Sequence, residues 1–308
     1  MPITIDVSIA PQNFTSFPVV IHEEEPKISD AQRKARKVFE PYMPEHLRAQ
    51  YYSEGPHGNV YAMTFFQGPI ERGMLSAELL EGLWLYDDVT ESLPHDQADN
   101  EHASIEQSLA SRGEVKSRMA SYFRDLASRM MALDPEGAPF LIGQLHQHFT
   151  EYDKRSMIYE TMEDYLMFRT LNVGFRITVA AMQWCHSIYL TDKEDKLVHE
   201  FYAASSRVLA LSNDYWSWDR EKNDVDALSV PIPNAVWVIM RQYNMKEKEA
   251  KIMLKGLIVE AEQTVKKLGL EILKLDVSES VRKFVEDVYF VLGANGFWSA
   301  TCPRYNGE

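Results

Sequence analysis

The stretch "LYDDVTES", residues 85 to 92, sets Asp87 and Asp88 at the end of an apolar run, with Glu91 one helical turn later. On a helix, Asp87 and Glu91 are i and i+4 while Asp88 and Glu91 are i and i+3, so the three carboxylates converge on one side. Like charges at that spacing repel unless solvent or a divalent cation neutralises them. Taken alone, the stretch reads better as an acidic helix end fraying into a loop than as a site. The second stretch is more specific. "NDYWSWDRE" spaces Asn213, Ser217 and Glu221 at i, i+4 and i+8, a row along one helix face that drifts by about 40° per step. An amide oxygen, a hydroxyl and a carboxylate are hard ligands suited to Mg²⁺. The surrounding Leu209, Leu211, Trp216 and Trp218 make an ordinary polar surface stripe a poor account of them.

Two such helices facing each other across a bundle could hold Mg²⁺ and leave coordination positions for the oxygens of a phosphate substrate. A diphosphate then calls for cationic donors. Arg220 sits beside Glu221. Arg169 lies in "YLMFRTLNVGF", an apolar segment where a lone arginine needs a partner. Arg304 and Tyr305, in "CPRYNGE", add a guanidinium fork and a phenol. Each has a plainer account: a solvated arginine for Arg220, a buried salt bridge for Arg169, and a frayed tail for the last pair.

The elements that must position these residues read as helices throughout. Residues 1–28 look like an extended N-terminal arm. From Ser29-Asp30 a helix runs to Pro41, and after a glycine-containing loop another starts near Pro69 and carries the acidic cluster at its end. "LPHDQADNE" (93–101) reads as a polar loop before a long amphipathic helix over 102–133. Further helices are expected at 138–152, 155–182, 194–219, 232–243, 246–270 and 278–299. Strand and hairpin signals are absent. The expected class is all-α, with one domain over residues 1–308.

Composition bounds the function. The chain has 308 residues with 32 basic and 46 acidic side chains, a formal charge of −14. That balance excludes a nucleic-acid partner gripped through phosphate contacts. No apolar run reaches the length of a bilayer span, and no signal peptide is visible. The two cysteines, Cys185 and Cys302, form neither a disulfide framework nor a metal-binding spacing, which points to a reducing cytoplasmic compartment.

"DDVTE" followed downstream by "NDYWSWDRE" resembles the aspartate-rich and NSE motifs of class I terpene cyclases. With "NAVWVIMRQ" and "FWSATCPRYN", the chain more closely resembles the cyclase domain of fungal bifunctional terpene synthases of the fusicoccadiene synthase type, from about residue 60 onward. The resemblance implies an α-helical bundle around a central active-site cavity and three Mg²⁺ ions. It implies direct metal ligation by Asp87, with Asp88 and Glu91 in support, and one ion held by Asn213, Ser217 and Glu221. It implies diphosphate sensing by Arg169, a basic partner in Arg220, and diphosphate hydrogen bonds from Arg304 and Tyr305. Two departures stand out. The acidic motif ends in Glu91 where Asp is usual. Asn172 stands where relatives often carry an aspartate that ion-pairs with the sensing arginine. The C-terminal prenyltransferase of the family's longer members is absent, so the chain is either an excised domain or a stand-alone relative.

The implied reaction ionises a polyprenyl diphosphate and cyclises the cation. Geranylgeranyl diphosphate (C20) is the favoured substrate and the C25 homologue the alternative, with a polycyclic diterpene as the favoured product. Proton loss to the departing diphosphate is a reasonable last step. Aromatic faces would steady the cation, and the candidates are Tyr61, Phe65, Trp84, Phe168, Trp216, Phe290 and Trp298. A chain-elongating prenyltransferase would need a second aspartate-rich motif, which is lacking. A non-catalytic helical binding protein would need both motifs to be chance surface stripes. A homo-oligomer is an open possibility, as is a fused prenyltransferase in a full-length parent.

Overall fold

A computed structural model describes residues 1–43, 53–91, 93–110, 117–150, 159–224 and 232–306. Its helices are α1 (Glu25–Phe39), α2 (Val60–Thr64), α3 (Ile70–Glu91), α4 (His95–Ala110), α5 (Arg118–Leu133), α6 (Ala138–Thr150) and α7 (Met162–Asn172). They continue with α8 (Phe175–His186), α9 (Asp192–Asp224), α10 (Ala235–Tyr243), α11 (Glu247–Leu273), α12 (Glu279–Thr301) and α13 (Pro303–Asn306). Among the described residues, strand is confined to two-residue pairings, Ile3–Thr4 with Val20–Ile21 and Glu54–Gly55 with Gly58–Asn59. The all-α expectation holds.

Helix α3 and the C-terminal half of α12 bury side chains on nearly every face and lie inside the bundle. Leu75, Leu79, Leu80, Leu83, Leu85, Tyr86 and Val89 of α3 are buried, as are Phe284, Val288, Val291, Leu292, Phe297 and Trp298 of α12. Helix α1 packs along α3, and α9 lies between α11 and α12. A larger core joins α3, α8 and α12. A smaller one joins α7, α10, α11 and the C-terminal half of α9. The row of Asn213, Ser217 and Glu221 starts where α9 passes the smaller core.

Several expected boundaries move, each for a local reason. Helix α1 begins at Glu25 with Pro26 in its first turn, four residues before Ser29. Its φ already suits a helix, and its missing N–H costs nothing there. The expected loop over 93–101 is helical from His95, directly after Pro94. The single helix over 102–133 is two, α4 and α5, the latter capped by Ser117, whose hydroxyl accepts from the N–H groups of Met119 and Ala120. The helix expected over 155–182, whose first four residues lie outside the described residues, is interrupted at Gly174, which has a left-handed φ of 75° and separates α7 from α8.

The arm before α1 packs on α11 and α12. Gln12 donates to the carbonyl of Ala300 at 2.8 Å, and the Ser16 N–H and Thr15 hydroxyl donate to the buried Glu262, each at 2.9 Å. Close approach here requires glycine: a Cβ on Gly293 would lie 2.1 Å from the carbonyl oxygen of Pro18.

Candidate active site

The two halves of the site come together through the last short helix. Arg304 of α13 donates from Nη2 to Oδ1 of Asp88 at 3.3 Å, with both side chains nearly buried at 9% and 6% exposure. Its neighbour Tyr305 accepts a hydrogen bond on its hydroxyl from Nδ2 of Asn213 at 3.1 Å. One dipeptide therefore ties the end of α3 to the middle of α9. Burial raises the Tyr305 phenol's pKa, against the lowering influence of Arg304 and then Arg220. Arg220 itself is half-buried, one residue before Glu221.

Asp88 rather than Asp87 meets Arg304. Asp88 is buried whereas Asp87, 100° further round α3, is half-buried. Trp84, one turn before Asp88, shares its face. The side chain of Glu91 lies outside the described residues.

Opposite, Asn213 and Glu221 are half-buried and Ser217 is 1% exposed. Arg169, at the end of α7, reaches across to the same helix. Its Nε donates to Oδ1 of Asp214 at 2.9 Å, its Nη2 to Oδ1 of Asn213 at 2.7 Å, and its Nη1 to Oδ1 of Asn172 at 3.0 Å. Asn172 thus supplies by hydrogen bond what the aspartate of relatives would supply by charge, and the ion pair falls to Asp214. Asp214 is fully buried and also accepts from the Tyr165 hydroxyl and, at 2.9 Å, from the Ala235 N–H. Burial opposes the charge on Arg169, but Asp214 first, then Tyr165 and Glu221, outweigh it and hold the guanidinium above its ordinary range.

The spacing argument did not single out Asp214, Tyr165 and Asn234. Asn234 caps α10, and its Nδ2 donates to Oε2 of Glu221 at 3.0 Å and to the Asp214 carbonyl at 2.9 Å. An asparagine before an apolar run is an N-cap signal that could have marked it.

Of the aromatic candidates, Tyr61, Trp84 and Trp298 form a continuous run that ends on Tyr305, with successive ring centroids 5.4, 5.9 and 5.6 Å apart. Phe290 packs on Phe66 at 4.7 Å, and Phe65 is wholly buried in the larger core. Phe168 stacks on Tyr159 at 5.1 Å in the smaller core. Trp216 instead stacks on Phe14 of the N-terminal arm at 5.7 Å, outside that run.

The donor set fits a hard divalent cation. Asn213, Ser217 and Glu221 offer oxygens of three kinds on one face. Asp88 has a second carboxylate oxygen, Oδ2, buried without a hydrogen-bond partner among the described residues. No three His, Cys, Asp or Glu side chains converge among the described residues. A surface depression of about 520 Å³ lies between α9 and α11, lined by Tyr215, Asp219, Glu247 and three lysines of α11. Tyr215 and Asp219 face roughly opposite to the Asn213 row on α9, so this depression is separate from the site.

Comparison with known proteins agrees with this geometry. Residues 79–264 match the family model described as terpene synthase family 2, C-terminal metal binding, which is more than half of the chain. The chain belongs to the terpene synthase family. It is 25% identical to the sesterterpene synthase btcA of Colletotrichum orbiculare over 95% of this chain and 43% of that protein. It is 26% identical to the fusicoccadiene synthase of Phomopsis amygdali over 74% of this chain and 34% of that one. This terpene synthase chain therefore spans less than half the length of these relatives. The crystal structure of aristolochene synthase from Penicillium roqueforti superposes with a TM-score of 0.74 at 18% identity, covering 94% of this chain and 99% of that one. The fold is that of the class I terpene synthases, and the family's metal-binding region carries the Asn213 row.

Proposed function

We propose that this chain is a Mg²⁺-dependent terpene cyclase that ionises a linear polyprenyl diphosphate and closes the resulting carbocation into rings. The observation that carries this reading is the double tie of Arg304 to Asp88 and Tyr305 to Asn213, which gathers carboxylate, neutral oxygens and guanidinium at one end of an apolar bundle. Asn213, Ser217 and Glu221 would hold one Mg²⁺, and Asp87 and Asp88, with Glu91, would hold the others of a set of three. Bound there, Mg²⁺ neutralises charge that builds on the leaving group.

The chain's own residues do the rest. Arg304, Arg220 and Arg169 bind and orient the diphosphate through charge-assisted hydrogen bonds. The allylic C–O bond breaks, the diphosphate leaves with the electron pair, and the cation remains against the rings of Tyr61, Trp84 and Trp298. Helix α13 excludes water over the site. Arg169 has a dual task, because its Nη2 already occupies Oδ1 of Asn213. Asn213 would use the same oxygen to hold Mg²⁺, and Arg169 would then be released to donate to the diphosphate.

For substrate length, the resemblance to the fusicoccadiene synthase type points to C20. The likeness to a sesterterpene synthase over 95% of the chain favours C25 equally, so the two are read side by side. Purified chain is incubated with Mg²⁺ and the C15, C20 and C25 diphosphates, and released diphosphate and hydrocarbons are measured. The reading expects cyclic product from C20 or C25 only with Mg²⁺ present. No diphosphate release from any of the three by folded protein refutes it.

A further inference from the structure

We infer that Asn234 is a positioning residue for the metal-binding row, an inference that rests on the metal site proposed above. Asn234 is fully buried and sits at the N-cap of α10, away from the row in sequence. Every hydrogen-bonding capacity of its amide but one acceptor lone pair is committed. Oδ1 accepts from the Val236 N–H at 2.8 Å and so caps the helix. Nδ2 donates to the carbonyl of Asp214 at 2.9 Å, to Oε2 of Glu221 at 3.0 Å and, more weakly, to Oγ of Ser217 at 3.4 Å. One N–H thus holds the backbone of α9 and the other is shared between two residues of the row.

The orientation of this amide is dictated by its neighbours. Flipped, it would set an NH₂ group against the Val236 N–H and an oxygen against three oxygens. Its residue type is dictated as well. Asparagine alone combines a capping acceptor with two donors at this reach. Aspartate has the acceptor without the donors, serine is too short to span to Glu221, and glutamine is a poor cap. The hydrogen bonds from Asn234 reach both the half-buried Glu221 carboxylate and the buried Ser217 hydroxyl. Asn234 selects the conformers in which both oxygens share the face of Asn213. Asp214 reinforces this by accepting from the next N–H, that of Ala235, at 2.9 Å. The start of α10 is therefore docked on the row by two adjacent residues, one capping with its side chain and one donating from its backbone.

The test uses two substitutions that retain the cap, Asn234→Ser and Asn234→Asp, in the full chain. Mg²⁺ is titrated calorimetrically into protein with inorganic diphosphate present, and unfolding is followed without Mg²⁺. Outer-shell partners of metal ligands contribute roughly 10–100-fold in affinity, so both variants should bind Mg²⁺ more weakly by about that factor. Both variants should remain folded without metal, with melting temperatures lowered by the loss of the buried Nδ2 hydrogen bonds and most for Asn234→Asp, whose carboxylate faces Glu221, and turnover should recover as Mg²⁺ is raised. A folded variant whose Mg²⁺ affinity stays within about twofold of the parent overturns the inference, being well short of the range for such partners. So does unfolding of both variants, since Asn234 would then act through the fold. If the unsubstituted chain takes up no Mg²⁺ with diphosphate, the site reading itself fails, a result distinct from either.

Discussion

The ion pair of Arg169 with Asp214 offers the sharpest test of how the site is held. Nε lies 2.9 Å from Oδ1, and the side chains are 14% and 0% exposed, so solvent screens the pair little. Removing one member of such a pair strands the other and costs about 3–5 kcal/mol, against a total stability of about 5–15 kcal/mol. The two single variants should fail differently. Asp214→Asn leaves a guanidinium that cannot lose its charge, so its penalty is flat with pH. Arg169→Met leaves a carboxyl that can take up a proton. Burial already raises the Asp214 pKa from 3.8, and Arg169 is the strongest influence lowering it. Without the arginine, the folded state holds a proton that the unfolded chain releases, so stability is greatest at low pH and falls as pH rises through the folded value. Thermal unfolding at about pH 5 and pH 8 reads both effects. Each kcal/mol shifts the midpoint by roughly 2–4 °C in a chain of this order, so a loss of about 3 kcal/mol is roughly 6–12 °C. The double variant should lose less than the sum of the singles by about 2–3 kcal/mol. Additivity within about 0.5 kcal/mol, or a pH-independent Arg169→Met, refutes the account.

Two further outcomes follow from groups away from the row. Glu81 is fully buried among Gln32, Ser53 and Tyr61, and burial raises its pKa from 4.5; its contribution to stability is therefore present at low pH and lost as pH rises through the folded value. Glu81→Gln should flatten the decline of the urea midpoint with rising pH, and an unchanged slope would refute the assignment. The thiols of Cys185 and Cys302 are buried, and burial pushes the latter's pKa up to about 12. Neither should react with an aromatic disulfide reagent near pH 8 until the chain is unfolded, and fast labelling of folded protein would contradict the packing of α8 and α12.

What could be read from the sequence was what helical periodicity encodes. Three polar oxygens at four-residue intervals in an apolar segment declare their face without any knowledge of partners, and the row on α9 is legible for that reason. Arg169 was legible because a lone arginine in an apolar helix demands a counter-charge, but its partner was not. Asp214 adjoins Asn213 and reads as one more acidic residue until α7 is laid across it. Tertiary partners also decide which of two adjacent aspartates turns inward: the family resemblance put Asp87 ahead, whereas it is Asp88 that meets Arg304. Trp216 sits among the motif residues about 60° off Asn213, and its packing on Phe14 of the arm could not be foreseen from spacing. Gly174 shows the opposite case, since a glycine in "NVGF" is a local break signal that the apolar periodicity around it concealed.

Asn213 concentrates the logic of the site. Its Oδ1 accepts from Arg169 and its Nδ2 donates to Tyr305, so one amide is held by residues from both ends of the proposed diphosphate grip. Rotating it would place an NH₂ against a guanidinium and an oxygen against a hydroxyl that could turn to donate, so Arg169 fixes the amide more firmly than Tyr305 does. The asymmetry has a consequence for substitution. Tyr305→Phe removes a tie that α13 alone depends on, leaving Oδ1 directed as before. Arg169→Met removes the group that directs Oδ1. The first change loosens the closure of the site, whereas the second disorders a ligand of the row itself.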